Sequence, residues 1–202
     1  MKSDLTEAER DLIRQKIQEK YAGVAAATAG CFRYPTGAAG IRQQEYPEEL
    51  WRDFPPDLLE SFCGVGNPFS LGPVRPGEAV LDIGCGAGFD ALAAARLVGP
   101  QGRVVGVDLT KAMLEKARQH QALLGLKNVF FEEGEAEALP FPDGEFAVVL
   151  SNGVFNLALD KEKAVQEAFR VLKPGGRLML ADMVLTAPLP PERDQKVENW
   201  FQ

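Results

Sequence analysis

Residues 79–90, AVLDIGCGAGFD, decide how this 202-residue chain folds. A short apolar run ends in Asp82, glycines follow at 84, 86 and 88, and apolar residues resume at helical spacing. This is a strand that turns sharply and opens a helix, with the turn stripped of side chains. Glycine tolerates positive φ and lets backbone approach a ligand closely. The first N–H groups of the following helix have no partner within it, so a nucleotide-like molecule is the usual occupant of such a turn. Taken alone, the segment also reads as a plain tight connection. Its spacing disfavours one related loop, and the lack of a lysine excludes another. Dinucleotide loops read G-x-G-x-x-G, whereas here the third glycine comes one residue early and Phe89 stands in its place. A phosphate-cradling P-loop needs a lysine after the glycines, and none follows. The loop suits a nucleoside without a pyrophosphate.

Downstream, strand and helix patterns alternate. Strands are predicted at 79–83, 103–108, 128–133, 146–151 and 177–184. Helices are predicted at 89–98, at 111–124 with Thr110 as N-cap, and at 161–172 with Asp160 as N-cap and Pro174-Gly175-Gly176 as terminator. Apolar strands spaced by helices imply an α/β fold, a doubly wound Rossmann-like parallel sheet covered on both faces. Ligands bind at the carboxyl edge of such a sheet. Polar residues collect at that edge. Asp82 and the glycines follow the first strand. Asp108 ends the second, placed to accept two ribose hydroxyls, with Leu109 and Met113 able to flank an adenine. Gly134, Glu135 and Ala136 follow the third, and a carboxylate at 135 can accept from an adenine amine. Ser151, Asn152 and Gly153 follow the fourth, and Asn152 and Asn156 are candidates to orient a second substrate or to cap loops.

The N-terminal portion is different. Residues 4–21 form an amphipathic helical pattern with Leu5, Leu12, Ile13, Ile17 and Tyr21 on one face and a Thr6/Glu9 capping box. Residues 22–47 show little periodicity, 48–62 carry two short helical patterns broken by Pro55-Pro56, and 63–77 are a Gly/Pro-rich connection. Residues 1–75 are therefore read as a helical lid and 76–202 as the ligand-binding domain.

Lys plus Arg number 22 against 29 Asp plus Glu, a net charge of −7. That balance argues against nucleic acid or anionic membranes as partners. The longest charge-free runs, such as 146–159, are too short to span a bilayer, and the N-terminus is too charged for a secretory signal. Three scattered cysteines make no disulfide framework, so a reducing cytoplasm is the expected compartment. No metal-ligand cluster is read from the sequence.

VLDIGCGAGFD, VVGVD, GEAEALPFPDGEFAVVLSN and VLKPGGRLML resemble, in order, the motifs of class I S-adenosylmethionine-dependent methyltransferases over residues 77–185. The resemblance implies S-adenosylmethionine as cofactor. It places Gly84, Gly86, Gly88 and Cys85 against the methionine and ribose portion, Asp108 on the ribose hydroxyls, and Glu135 with Ala136 at adenine. A narrower likeness, carried by GNP (66–68), VGPQGRVVGVD, SNGVFNL (151–157), DKEKAVQEAFRVLKPGGRL (160–178) and PLP (188–190), is to the arsenite methyltransferase family. That family holds trivalent arsenic, a soft centre, through cysteine thiolates. The resemblance implies thiols in the N-terminal segment, in a G-C-G-N-P loop and in an S-N-C-V turn.

Here the turn reads Ser151-Asn152-Gly153-Val154 and the loop Gly64-Val65-Gly66-Asn67-Pro68. Glycine and valine stand where cysteines are expected. Cys31 and Cys63 remain as candidate acceptor thiols, with buried small apolar residues as their plain alternative. The reading is a small-molecule methyltransferase. Two alternatives stay open: an arsenite methyltransferase using Cys31 and Cys63, and a non-catalytic S-adenosylmethionine-binding module. His120 reads as a surface residue rather than a base, and Tyr21, Tyr34 and Tyr46 are weaker candidates. The chain stops early in the helix that begins at 188, so a five-stranded sheet lacking strands six and seven is expected, with a homodimer as one way to cover its edge.

Overall fold

The computed structural model describes residues 5–184. Five parallel strands form one sheet in the order β3-β2-β1-β4-β5: β1 (Ala79–Ile83), β2 (Arg103–Asp108), β3 (Val129–Glu133), β4 (Phe146–Asn152) and β5 (Leu172–Ala181). Side chains alternate across a strand, and β1, β2, β4 and β5 divide their apolar residues between two cores, while β3 contributes to one. Val80, Val104 and Val148 face one cluster with α5 (Phe89–Val98) and α6 (Lys111–Leu124). Leu81, Val105 and Val149 face the other with α7 (Lys161–Val171). This is the Rossmann-like α/β arrangement expected from the alternating pattern. Residues 185–202, which hold the PLP motif and the start of the expected terminal helix, lie outside the described residues.

The boundaries differ in instructive places. β5 begins directly after α7, because Leu172 pairs with Phe146 before Arg177 pairs with Val148; residues 173–176 bulge from the ladder. It ends at Ala181 rather than 184, where the Asp182 carboxylate instead accepts the Asn156 and Met183 N–H groups. Thr110 does not cap α6 through its side chain. Its N–H donates to Asp108 Oδ1 at 2.8 Å, so the carboxylate organises the helix entry. Asp160 does cap α7.

The N-terminal helix α1 (Glu7–Ala26) opens with the Thr6/Glu9 capping box and runs five residues past the expected end. Its inward stripe is Ile13, Ile17, Tyr21 and Val24, while Leu12 is exposed, because one residue off the stripe turns it about 100° away. A helix over Gly37–Gln43, α2, lies in the stretch that shows no periodicity. Gly40 permits its close packing: a Cβ there would sit 2.6 Å from Pro35 O. Two short helices, α3 (Glu48–Trp51) and α4 (Pro56–Glu60), follow. Ile41, Tyr46, Leu50, Trp51, Phe54, Leu58 and Phe62 are buried in the same cluster as α5, so the segment 41–62 shares its core with the sheet.

Candidate active site

The site begins with the glycine turn. Gly84, Gly86 and Gly88 all have positive φ, 71°, 52° and 93°. The two ends of the turn are held differently. Gly84 N and Cys85 N both donate to Val107 O, at 2.7 and 3.0 Å, which anchors the turn to β2. Gly86 N donates to Asp108 Oδ2 at 2.9 Å. A Cβ on Gly84 would collide with Val154, whereas nothing lies within 4 Å of one on Gly86, so the turn is packed on one side and open on the other. Each Asp108 oxygen accepts one backbone N–H, from Gly86 and from Thr110, and the Thr110 side chain also hydrogen-bonds the carboxylate. Burial raises the Asp108 pKa above the ordinary carboxylate value.

An open cleft of about 890 Å³, partly continuous with solvent, runs along the carboxyl edge. It brings together Gly84, Gly86, Asp108, Leu109, Met113, Gly134, Glu135, Ala136, Asn152 and Cys63 from the sequence-predicted set. Others of that set lie behind it. Gly88 packs against Ala117, Phe131 and Leu92. Cys85 is buried and points at β2, where a Cβ on Gly106 would be 2.8 Å from its sulfur; glycine in mid-strand makes room for it. Ser151 is fully buried and its Oγ donates to Ile83 O. Asp82 is buried beside Asp90 and lines a smaller adjoining cavity with Cys63 and Phe62. Its Oδ2 has no hydrogen-bond partner among the described residues. Burial raises both carboxyls, well above the ordinary range for Asp82 and to about 6 for Asp90.

Asn152 joins the cofactor edge to the loop that carries Cys63. Its Oδ1 accepts from Val65 N and Gly66 N at 2.8 and 3.2 Å, and its Nδ2 donates to Gly66 O and Asp90 Oδ2 at 2.9 and 3.0 Å. The amide thus ties scaffold segments together at the cleft wall. Asn156 Oδ1 is buried without a partner among the described residues and does not line the cleft.

At the far end, Gly153 and Val65 face each other. A Cβ on Gly153 would meet Val65 Cγ1 at 3.3 Å. Cys63 is half-buried there, and burial pushes its thiol up to about 12. Cys31 is exposed, contrary to the buried alternative, and its thiol donates to Ala27 O. Tyr34 donates its hydroxyl to Cys63 O at 2.9 Å. The Lys20 ammonium lies 5.3 Å from the Phe32 ring centre, and desolvation lowers its pKa.

Sequence reasoning puts Ile17 and Tyr21 on the apolar face of α1 but misses Arg14. Arg14, Ile17 and Tyr21 line the cleft. Arg14 Nη2 pairs with Glu135 Oε2 at 3.0 Å, and Gln18 Nε2 donates to Leu109 O. The three cleft residues share one stripe of the helix, a signal identical to that of an ordinary core face. Val154, Leu157 and Glu137 also line the cleft, and Glu137 Oε1 accepts from Leu159 N. His120 is fully buried, not a surface residue, and its ring nitrogens are taken up by Ala87 O and Asp57.

Against known proteins, the family model described as "Methyltransferase domain" matches residues 75–202. The chain belongs to this methyltransferase family. Over 191 residues, 88% of its length, the chain is 39% identical to an arsenite methyltransferase of Halobacterium salinarum, covering 49% of that protein. Over 111 residues, 54% of its length, it is 45% identical to a ubiquinone/menaquinone biosynthesis C-methyltransferase of Pasteurella multocida, covering 41% of it. Among solved structures, an arsenic(III) S-adenosylmethionine methyltransferase from Chlamydomonas reinhardtii aligns with TM-score 0.61 and 37% identity, over 80% of this chain and 54% of that one. The chain spans about half the length, or less, of the curated relatives it matches. S-adenosylmethionine is the cofactor of the family, and the residues present fit it: Gly86 leaves an open cradle and the Asp108 carboxylate lines the cleft beside it.

Proposed function

We propose that this methyltransferase carries a methyl group from S-adenosylmethionine to a small-molecule acceptor other than arsenite in a three-thiol site. The observation that carries this reading is that Gly153 lines the cleft with Cys63 and has Val65, not a thiol, packed against it. Both positions offer apolar surface where soft-metalloid chemistry needs thiolates. Asp108 would hold the ribose hydroxyls, Gly84 and Gly86 the methionine and ribose portion, and Glu135 with Ala136 the adenine, with Leu109 and Met113 at its faces. Arg14 would release Glu135 for that contact. S-adenosylmethionine supplies a methyl group already activated as a sulfonium. The chain then has to position the acceptor in line and exclude water, which can supply much of the rate. Ile17, Tyr21, Val154 and Leu157 form the water-excluding wall.

Residues 1–75 act in this reading as the helical cover and 76–202 as the cofactor-binding domain. The net charge of −7 disfavours nucleic acid as partner, and the three free cysteines fit a cytoplasmic setting. No helix among the described residues is long and apolar enough to cross a membrane. A homodimer would cover the edge of β5.

One observation favours an arsenite methyltransferase using only Cys31 and Cys63: Lys20 stands close enough to both sulfurs to interact electrostatically with them. Calorimetric titration with S-adenosylmethionine and assay of S-adenosylhomocysteine with and without arsenite separate the readings. We expect binding and no arsenite-dependent product. Arsenite-dependent product that disappears in Cys31→Ser or Cys63→Ser establishes the two-thiol reading instead, and absence of binding removes both.

A further inference from the structure

His120 sits in α6 with its side chain 1% exposed, between two hydrogen-bond acceptors. Nδ1 lies 2.9 Å from Ala87 O, inside the glycine turn. Nε2 lies 2.9 Å from Asp57 Oδ2 on α4, six residues before Cys63. A carbonyl and a carboxylate can only accept. Both bonds form together only when both ring nitrogens carry protons, since a neutral imidazole has one N–H and one lone pair. We propose that His120 is a positioning residue for the cofactor turn: its doubly protonated ring ties the Ala87 carbonyl to α4, and loss of one proton releases the turn.

The direction of release follows from the partners. The charged acceptor binds an N–H more strongly than the neutral one, so a remaining proton stays on Nε2 with Asp57. The Nδ1 lone pair then faces the Ala87 carbonyl lone pairs. The hydrogen bond with His120 is also the foremost reason the Asp57 pKa lies below the ordinary carboxylate value. Lys116, one turn back on α6, pairs with the other Asp57 oxygen at 3.3 Å and keeps α4 in place. Asp82 from β1, Asp90 from α5 and Asp108 from β2 also face the glycine turn and titrate, so variants, not a single pH profile, identify the His120 contribution.

The proposal rests on the reading that this turn holds S-adenosylmethionine. The test uses the full chain and two readouts: calorimetric affinity for S-adenosylhomocysteine, and amide hydrogen exchange of residues 86–89 in the free protein. Wild type should lose about fivefold in affinity between about pH 5.5 and about pH 8.5 beyond any loss in the variants, the worth of one hydrogen bond. His120→Gln should bind about as the wild type does at the higher pH, without that loss. Asp57→Asn is the sharper variant and alters a largely exposed side chain. Its amide can donate to Nε2, which leaves Nδ1–H of a neutral ring on Ala87. It should bind as wild type does at low pH and keep that affinity at high pH, with turn amides protected at both. Parallel pH profiles in wild type and Asp57→Asn, in affinity and exchange alike, overturn the proposal. Absent affinity with the expected exchange pattern removes the cofactor reading and leaves the tie standing.

Discussion

The two ends of the cleft are built by different means. The donor end is backbone and short side chains at the tips of β1, β2 and β3: Gly84, Gly86, Asp108, Gly134 and Glu135. The opposite end, where the proposed acceptor would lie, is assembled from distant segments: Tyr21 from α1, Cys63 from the loop after α4, and Gly153 and Val154 after β4, with Val65 packed against Gly153. At the donor end each group is fixed by its neighbours in sequence and in the sheet. At the acceptor end one amide, Asn152, joins the parts. The proposed methyl transfer would use such a division, with a constant donor at one end and a variable acceptor at the other.

The comparison breaks most visibly at Gly84. Gly84→Ala places a Cβ into Val154 at a φ of 71°. The backbone strain alone costs on the order of 1 kcal/mol, and the collision moves both ends of the cleft at once. Affinity for S-adenosylmethionine should fall by about a hundredfold or more, read by calorimetry. If Gly84→Ala binds normally, the turn does not set the donor end.

Asn152→Ala tests the joint. It leaves the Val65 and Gly66 N–H groups, the Gly66 carbonyl and the buried Asp90 carboxyl short of partners. Stability should drop by about 2–3 kcal/mol, the cost of unsatisfied buried polar groups, read by denaturant unfolding. A loss below about 0.5 kcal/mol would mean that the two ends are independent.

The smallest effect concerns the carboxyls beneath the donor turn. Burial lifts Asp90 to about 6 and Asp82 well above the ordinary carboxylate range. Both are raised, so the folded state binds protons more tightly than the unfolded chain. Their contribution is fully present below the ordinary carboxylate value and is lost as pH rises through the folded values. Asp57, Glu78 and Glu167 are lowered and contribute with opposite sign. Thermal unfolding of wild type against Asp82→Asn isolates the buried pair. The wild type should lose on the order of 1–2 kcal/mol relative to the variant between about pH 4 and about pH 7. Parallel curves would show that the pair carries no such strain.

Legibility in the sequence follows the same division. The strand and helix order, the glycine turn and Asp108 were readable because local patterns carry them: alternation, spacing and residue type. Helix α2 was not, since its glycines are set by close packing on Pro35 and by the Gly37 N–H donating to Phe62 O. Leu12 and Leu5 look alike in the sequence, yet only Leu5 is buried. His120 carries no local sign of its burial, because Asp57 lies 63 residues away and Ala87 33. Arg14 reaches Glu135 across 121 residues.

By itself, the sequence determined the alternating α/β order, the absence of a side chain at the turn and, through ordered motifs, the methyl donor. These depend on properties that each short segment possesses alone. Only the tertiary structure decided that Val65 faces Gly153, that Asn152 bonds the 65–66 loop and that α1 walls the cleft. Those facts depend on which distant surfaces exclude water together, and burial is a property of the assembled chain.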